Sequence, residues 1–78
     1  MTFGQKLKKL RTDKGFYTQE TLAEAANTSQ NGIAGFESGR HLPSLKVLFR
    51  IQKTLDVSFD DLLKGVDIDD DSRKNPKL

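Results

Sequence analysis

Apolar residues recur along this chain at three- and four-residue intervals, in five runs separated by short polar breaks. Phe3, Leu7 and Leu10 stand at i, i+4 and i+7, the spacing of one buried helical face, and predict a helix over 2–14 that Gly15 ends. After the apolar connector Phe16-Tyr17, Leu22, Ala23 and Ala26 mark a second helix over 18–26, with Thr18 as its cap. Its capping box looks incomplete, because Thr21 stands where Glu or Gln would reach back. Asn27 suits the left-handed position after that helix, since Asn enters this conformation more easily than any residue but Gly. Ser29 caps a third helix over 29–37, with Ile33 and Phe36 on its inner face.

The segment 38–43 contains Gly39 and Pro43 and reads as a loop, after which Ser44 caps a fourth helix over 45–55. Leu45, Leu48, Ile51 and Leu55 form its expected inner stripe, with Lys46, Arg50 and Lys53 opposite. Gln52 falls on the inner side and must find a polar partner there or bend out to water. Ser58 and Asp61 are a capping pair for a short fifth helix over 59–64, stopped by Gly65. Five helices without a convincing strand define an all-α domain over 1–65, followed by a charged, flexible tail over 66–78.

The third helix is unusual on the side away from its apolar residues. At about 100° per residue, Gln30, Asn31, Ala34 and Gly35 lie opposite Ile33 and Phe36. A merely solvated face normally carries Lys and Glu; this one offers two amides, a methyl and a bare backbone. Amides can pair with the N6/N7 edge of adenine, a methyl can touch that of thymine, and Gly lets another backbone come close. Gly32 and Gly35 each cost about 1 kcal/mol relative to Ala in a helix interior, so each needs a reason. Close packing supplies one for Gly32, and the outward position of Gly35 leaves contact with DNA or plain tolerance.

The stretch Gln19 to Ser38, QETLAEAANTSQNGIAGFES, resembles the helix-turn-helix of the Cro and phage-repressor family, the xenobiotic-response-element type. Ala23 matches its small residue, Asn27 its turn residue, and Ile33 and Phe36 its buried pair; the likeness extends from about Phe3 to Gly65. The connector Phe16-Tyr17 is one residue longer than the usual family pattern. The resemblance implies a compact five-helix, lambda-repressor-like DNA-binding domain. It also implies that Gln19 touches the sugar-phosphate backbone and that Arg11 and Glu37 form an internal ion pair. A narrower likeness, over GIAGFESGRHLPSL (Gly32 to Leu45), is to controller proteins of restriction–modification systems, in which one dimer activates and additional dimers repress.

Charge supports a polyanionic partner. Residues 1–55 hold nine Lys and Arg against four Asp and Glu, a balance of +5, whereas the stretch from Asp56 onward stands at −3. Base reading is assigned to Gln30, Asn31, Ala34 and Gly35. Phosphate contacts fall to Gln19 and to Thr18, Ser29, Arg40, Ser44 and Lys46, which lie near helix N-termini or on the loop. The hydroxyls of Thr18, Ser29 and Ser44 also cap helices, a role compatible with contact to an anion. No Lys or Arg stands between Thr18 and Gly39, which removes the bidentate Arg–guanine contact and favours A·T-containing half-sites.

Other chemistries find little support. The 78 residues include no Cys, so neither a disulfide framework nor thiolate zinc is available. His41 is the only histidine and has no second ligand spaced for it; a loop position near phosphate or solvent is the expectation. Asp67, Asp69 and Asp71 imitate the start of a calcium loop, but Ser72 and Leu78 occupy the positions that need Gly and Glu. Neither a catalytic constellation nor a phosphate-cradling glycine loop is visible, so no enzyme activity, metal, cofactor or small-molecule ligand is expected. Apolar runs are too short to span a membrane and no export signal opens the chain, which makes a cytoplasmic, nucleoid-associated protein the expectation.

The expected function is therefore sequence-specific binding of duplex DNA by a transcriptional regulator, primarily a repressor. One half-site offers too little surface for tight discrimination, so a homodimer over a palindromic operator is expected, with Phe49, Phe59, Leu62 and Leu63 in the two-fold contact. No effector domain is visible, leaving control to concentration and dimerisation. An antitoxin-like protein-interaction module is the alternative from another class, favoured only by the acidic tail.

Overall fold

The computed structural model describes residues 1–67; residues 68–78 of the expected tail, with most of the acidic run, lie outside the described residues. Five helices follow one another: α1 (Phe3–Asp13), α2 (Gln19–Ala25), α3 (Gln30–Ser38), α4 (Leu45–Leu55) and α5 (Phe59–Leu63). The chain is all-α among the described residues, and each helix lies within a residue or two of its expected range.

Every helix begins on a side-chain hydroxyl. Thr2, Thr18, Ser29, Ser44 and Ser58 each accept a hydrogen bond from the backbone N–H three residues on. Thr2 and Gln5 complete a reciprocal box at α1. At α2 the Thr21 hydroxyl takes the role expected of Glu or Gln, accepting from the Thr18 N–H at 3.4 Å, so that box is closed rather than incomplete. The ends are equally regular. Asn27 at φ 55° follows α2, and the N–H groups of Asn27 and Thr28 return to the carbonyls of Glu24 and Ala23, at 3.2 and 2.9 Å. Asp56 does the same after α4 at φ 57°, a left-handed residue that the sequence pattern did not single out.

The core consists of Leu7, Leu22, Ala23, Ala26, Ile33, Phe36, Ile51, Leu55 and Leu62, drawn from all five helices. Leu62 is fully buried there and is not free to form the intermolecular contact assigned to it. Leu45 was expected inward but is 72% exposed. It lies about 90° around the helix from the stripe that Leu48, Ile51 and Leu55 define, and Val47 takes the fourth place against the core. Gln52 resolves its inner position by donating its amide to the Val57 carbonyl.

The backbones of α1 and the end of α3 approach closely at Gly4. Gly4 is buried, and a Cβ there would sit 2.5 Å from the carbonyl oxygens of both Phe36 and Glu37. Those atoms are backbone and cannot rotate away. The termini of the described chain also meet: the Asp67 N–H donates to the Met1 carbonyl at 2.8 Å, and the Met1 amine donates to the Gly65 carbonyl at 3.1 Å. Residues 66 and 67 are thus tied to the domain, unlike the flexible tail expected to start at 66.

Gly4→Ala is expected to destabilise the fold by about 1–3 kcal/mol through overpacking, against Ala's better helix propensity. Urea denaturation measures this; a midpoint equal to or above that of the wild type would show that α1 can shift at no cost.

Candidate nucleic-acid interface

Two local devices and one contact from α4 set the orientation of α3. The Ser29 hydroxyl accepts from the Gly32 N–H at 2.9 Å and fixes the first turn. Asn27, left-handed at φ 55°, closes α2 and turns the chain toward α3. Arg50 of α4 braces this corner by donating from Nη1 to the Asn27 carbonyl at 3.4 Å. Arg50 is therefore half-buried and spends part of its donor capacity inside the protein.

The other end of α3 is tied by charge. Arg11 Nε donates to Glu37 Oε2 at 2.7 Å and Arg11 Nη2 to Oε1 at 3.3 Å, with both side chains 5% exposed. Arg11 Nη1 also reaches the Phe16 carbonyl at 2.9 Å, so the guanidinium joins α1, the α1–α2 connector and α3. Gln19 completes the cluster, its Nε2 donating to Glu37 Oε1 at 3.0 Å. The expected ion pair is present, and it includes a third member that spacing did not show.

Against this frame α3 presents Gln30 and Asn31, both exposed, in its first turn, with Ala34 half-exposed one turn on. Gly35 departs from expectation. It is buried, because the imidazole of His41 lies over it: a Cβ at Gly35 would clash with Nε2 and come within 2.7 Å of Cε1 and 2.9 Å of Cδ2. Gly35 is therefore covered by the protein's own side chain and does not offer bare backbone to a ligand. The same ring packs edge-on against Phe36, with centroids 5.1 Å apart and planes at 83°. Nothing in the sequence spacing links Gly35 to His41; Gly39, left-handed at φ 85°, turns the chain back so that they meet.

The phosphate candidates divide into two groups. Thr18, Ser29, Arg40, Ser44 and Lys46 are exposed, and the three hydroxyls are already helix caps. Gln19 is half-buried with its amide directed to Glu37, so what it has left for an anion is its backbone N–H at the start of α2 and the second N–H of its amide. Among the described residues there is no group of three or more His, Cys, Asp or Glu able to hold a metal ion. No helix of the described residues is long and apolar enough to cross a membrane.

Two helices at a fixed corner, the second presenting polar side chains from a braced first turn, define a helix-turn-helix domain of the DNA-binding class. The chain belongs to the Cro/C1-type helix-turn-helix family: residues 7–62 match the family HTH_3, helix-turn-helix. That family is one of transcription regulators, not enzymes. Among similar proteins is the SPbeta prophage-derived uncharacterized HTH-type transcriptional regulator YonR of Bacillus subtilis, 43% identical over 63 residues, 81% of this chain and 57% of the relative. Another is the HTH-type transcriptional activator BcrR of Enterococcus faecalis, 41% identical over 68 residues, 87% of this chain and 33% of the relative. The chain thus spans less than two thirds of either relative. Among solved structures, the restriction-modification controller protein C.AhdI from Aeromonas hydrophila superposes with a TM-score of 0.71 at 37% identity, over 77% of this chain and 89% of that one. The N-terminal DNA binding domain of SinR from Bacillus subtilis gives 0.72 at 33% identity, over 81% and 91%. The lambda-repressor-like five-helix fold is shared with both.

Breaking the Arg11–Glu37 pair from one side is expected to be costly. Glu37→Ala would leave a buried guanidinium without its carboxylate and lower stability by about 3–5 kcal/mol. Thermal or urea denaturation reads this directly; a loss below about 1 kcal/mol, the scale of a surface ion pair, would remove the pair from its supporting role.

Proposed function

We propose that this chain is the DNA-binding unit of a transcriptional regulator that places α3 in the major groove and lays α2 across the sugar-phosphate backbone. The observation carrying this reading is the pair of exposed amides, Gln30 and Asn31, at the N-terminal end of a helix that α1, α2 and α4 hold in place. Recognition helices of this class read base edges from their N-terminal residues. Ala34 adds a methyl contact on the same side. Thr18, Ser29, Arg40, Ser44 and Lys46 position the protein on phosphates, joined by the backbone N–H of Gln19.

The active form is a homodimer on a palindromic operator, its two α3 helices about 34 Å apart. Support comes from an apolar surface on α4 and α5. Leu45 and Phe49 are 72% and 46% exposed and one turn apart, Leu63 is 38% exposed, and Phe59 meets Phe49 edge-on at 5.1 Å. Phe49, Phe59 and Leu63 remain in the proposed contact, and Leu62 supports them from the core. Repression is the primary reading, because occupying an operator that overlaps a promoter excludes polymerase without any further contact. The likeness to C.AhdI favours a second reading, a controller that activates at one occupancy and represses at a higher one. Both readings place the protein in the cytoplasm with the nucleoid.

Selection of bound duplexes from a random pool tests the assignment. Gln30→Ala and Asn31→Ala are each expected to relax preference at particular base pairs, by about 1–3 kcal/mol per pair. Lys46→Ala is expected to weaken all sequences alike and to flatten the salt dependence. Selected sequences indistinguishable among wild type and both amide variants would remove Gln30 and Asn31 as readers. Phe49→Glu is expected to shift the protein to monomer in sedimentation and to abolish the advantage of a two-half-site duplex over a single half-site. A wild-type protein that stays monomeric on and off its selected duplex would overturn the dimer.

A further inference from the structure

Gly35 and His41 form a unit that neither the fold nor the reading of Gln30 and Asn31 uses. Gly35 follows Asn31 by one turn, so it continues the ridge on which that amide stands. A side chain there would block the imidazole; its absence lets the ring lie on the helix backbone. The ring is then held from two sides, by Gly35 beneath and by the edge-on contact with Phe36, while the residue as a whole stays exposed. Among the described residues His41 makes no hydrogen bond. The Nε2 edge of the ring is the part turned onto Gly35, which leaves Nδ1 as the imidazole nitrogen able to donate away from the described residues.

Resting on the proposed placement of α3 in the major groove, we propose that His41 is a phosphate-contacting residue positioned by the missing Cβ of Gly35. The N-terminal turn of a recognition helix faces base edges, so groups beyond its C-terminal half meet the strand that borders the groove. His41 lies there beside exposed Arg40, whose own N–H is fixed on the Gly35 carbonyl at 3.0 Å. Gly35 thus holds both residues, Arg40 by its backbone N–H on the Gly35 carbonyl and the His41 ring over the open Cα. The glycine serves DNA binding by seating a side chain of the following loop, not by approaching the duplex itself.

The test uses the duplex selected from the random pool, with His41→Ala, Gly35→Ala and the double variant. In titrations each single substitution is expected to weaken binding about three- to tenfold, the scale of one hydrogen bond, without changing base preference. The double variant is expected to lose no more than His41→Ala alone. Phosphate-ethylation interference supplies a readout that a merely structural role would not move. One phosphate per half-site whose ethylation blocks the wild type is expected to lose that sensitivity in both single variants. A Gly35→Ala loss that persists undiminished in the His41→Ala background would mean that the bare backbone itself meets DNA, and would overturn the proposal. So would a neutral His41→Ala, or a change of preference at a base pair with the ethylation pattern intact. Should Gly35→Ala fail to fold, His41→Ala with the ethylation pattern still decides. Gln30→Ala, run in parallel, separates the two levels: unchanged base preference there removes the placement of α3, whereas a relaxed preference beside a neutral His41→Ala removes only the role of His41.

Discussion

The carboxylate of Glu37 is where the architecture converges. It sits at the last turn of α3, 5% exposed, and accepts from Arg11 of α1 and Gln19 of α2 at once. A carboxylate in that position is tolerable only if its oxygens are satisfied, and three donors from two other helices satisfy them. Each donor in turn is held by its helix, so the cluster fixes three helix axes in a way that apolar packing alone would leave loose. Gly4 adds the steric counterpart. Because it has no Cβ, α1 can approach the carbonyls of Phe36 and Glu37 closely enough for Arg11, two turns further on, to reach its partner.

Much of this was legible in the residues. The periodic apolar positions located five helices, and Thr18, Asn27 and Ser29 marked the corner because capping hydroxyls and a left-handed Asn have few other uses in such a setting. What escaped detection has a common cause. Gly35 looked outward on a helical wheel, and a wheel knows nothing of a loop that folds back; only the left-handed turn at Gly39 brings His41 over it. Leu45 and Leu62 were misjudged for the converse reason, since periodicity gives an angle around one helix but not the depth of the neighbours. Leu45 lies in the first turn of α4 at the margin of the buried stripe, whereas Leu62 projects from a helix of five residues straight into the core. Gln19 illustrates a third gap. Its likeness to a backbone-contacting position was visible, but its attachment to Glu37, eighteen residues on, depends on three-dimensional proximity.

The proposed interface also separates two tasks that many DNA-binding proteins combine in one set of arginines. Within 18–39 the only charged groups are acidic, and Glu37, the one on α3, is neutralised in the interior by Arg11. Lys46 and Arg40 stand exposed outside this stretch, on α4 and the loop before it. In the proposed reading, long-range attraction to the duplex originates at the margin, whereas discrimination depends on neutral amides whose reach is a single hydrogen bond.

That neutrality gives the domain an evolutionary degree of freedom. Exchanging Gln30 or Asn31 for another uncharged residue alters neither net charge nor the buried cluster behind α3. With base reading by those two amides as proposed, a lineage could drift from one target sequence to another at constant encounter rate and constant folding stability. Duplicated copies of such a gene would diverge in what they read before they diverge in anything else.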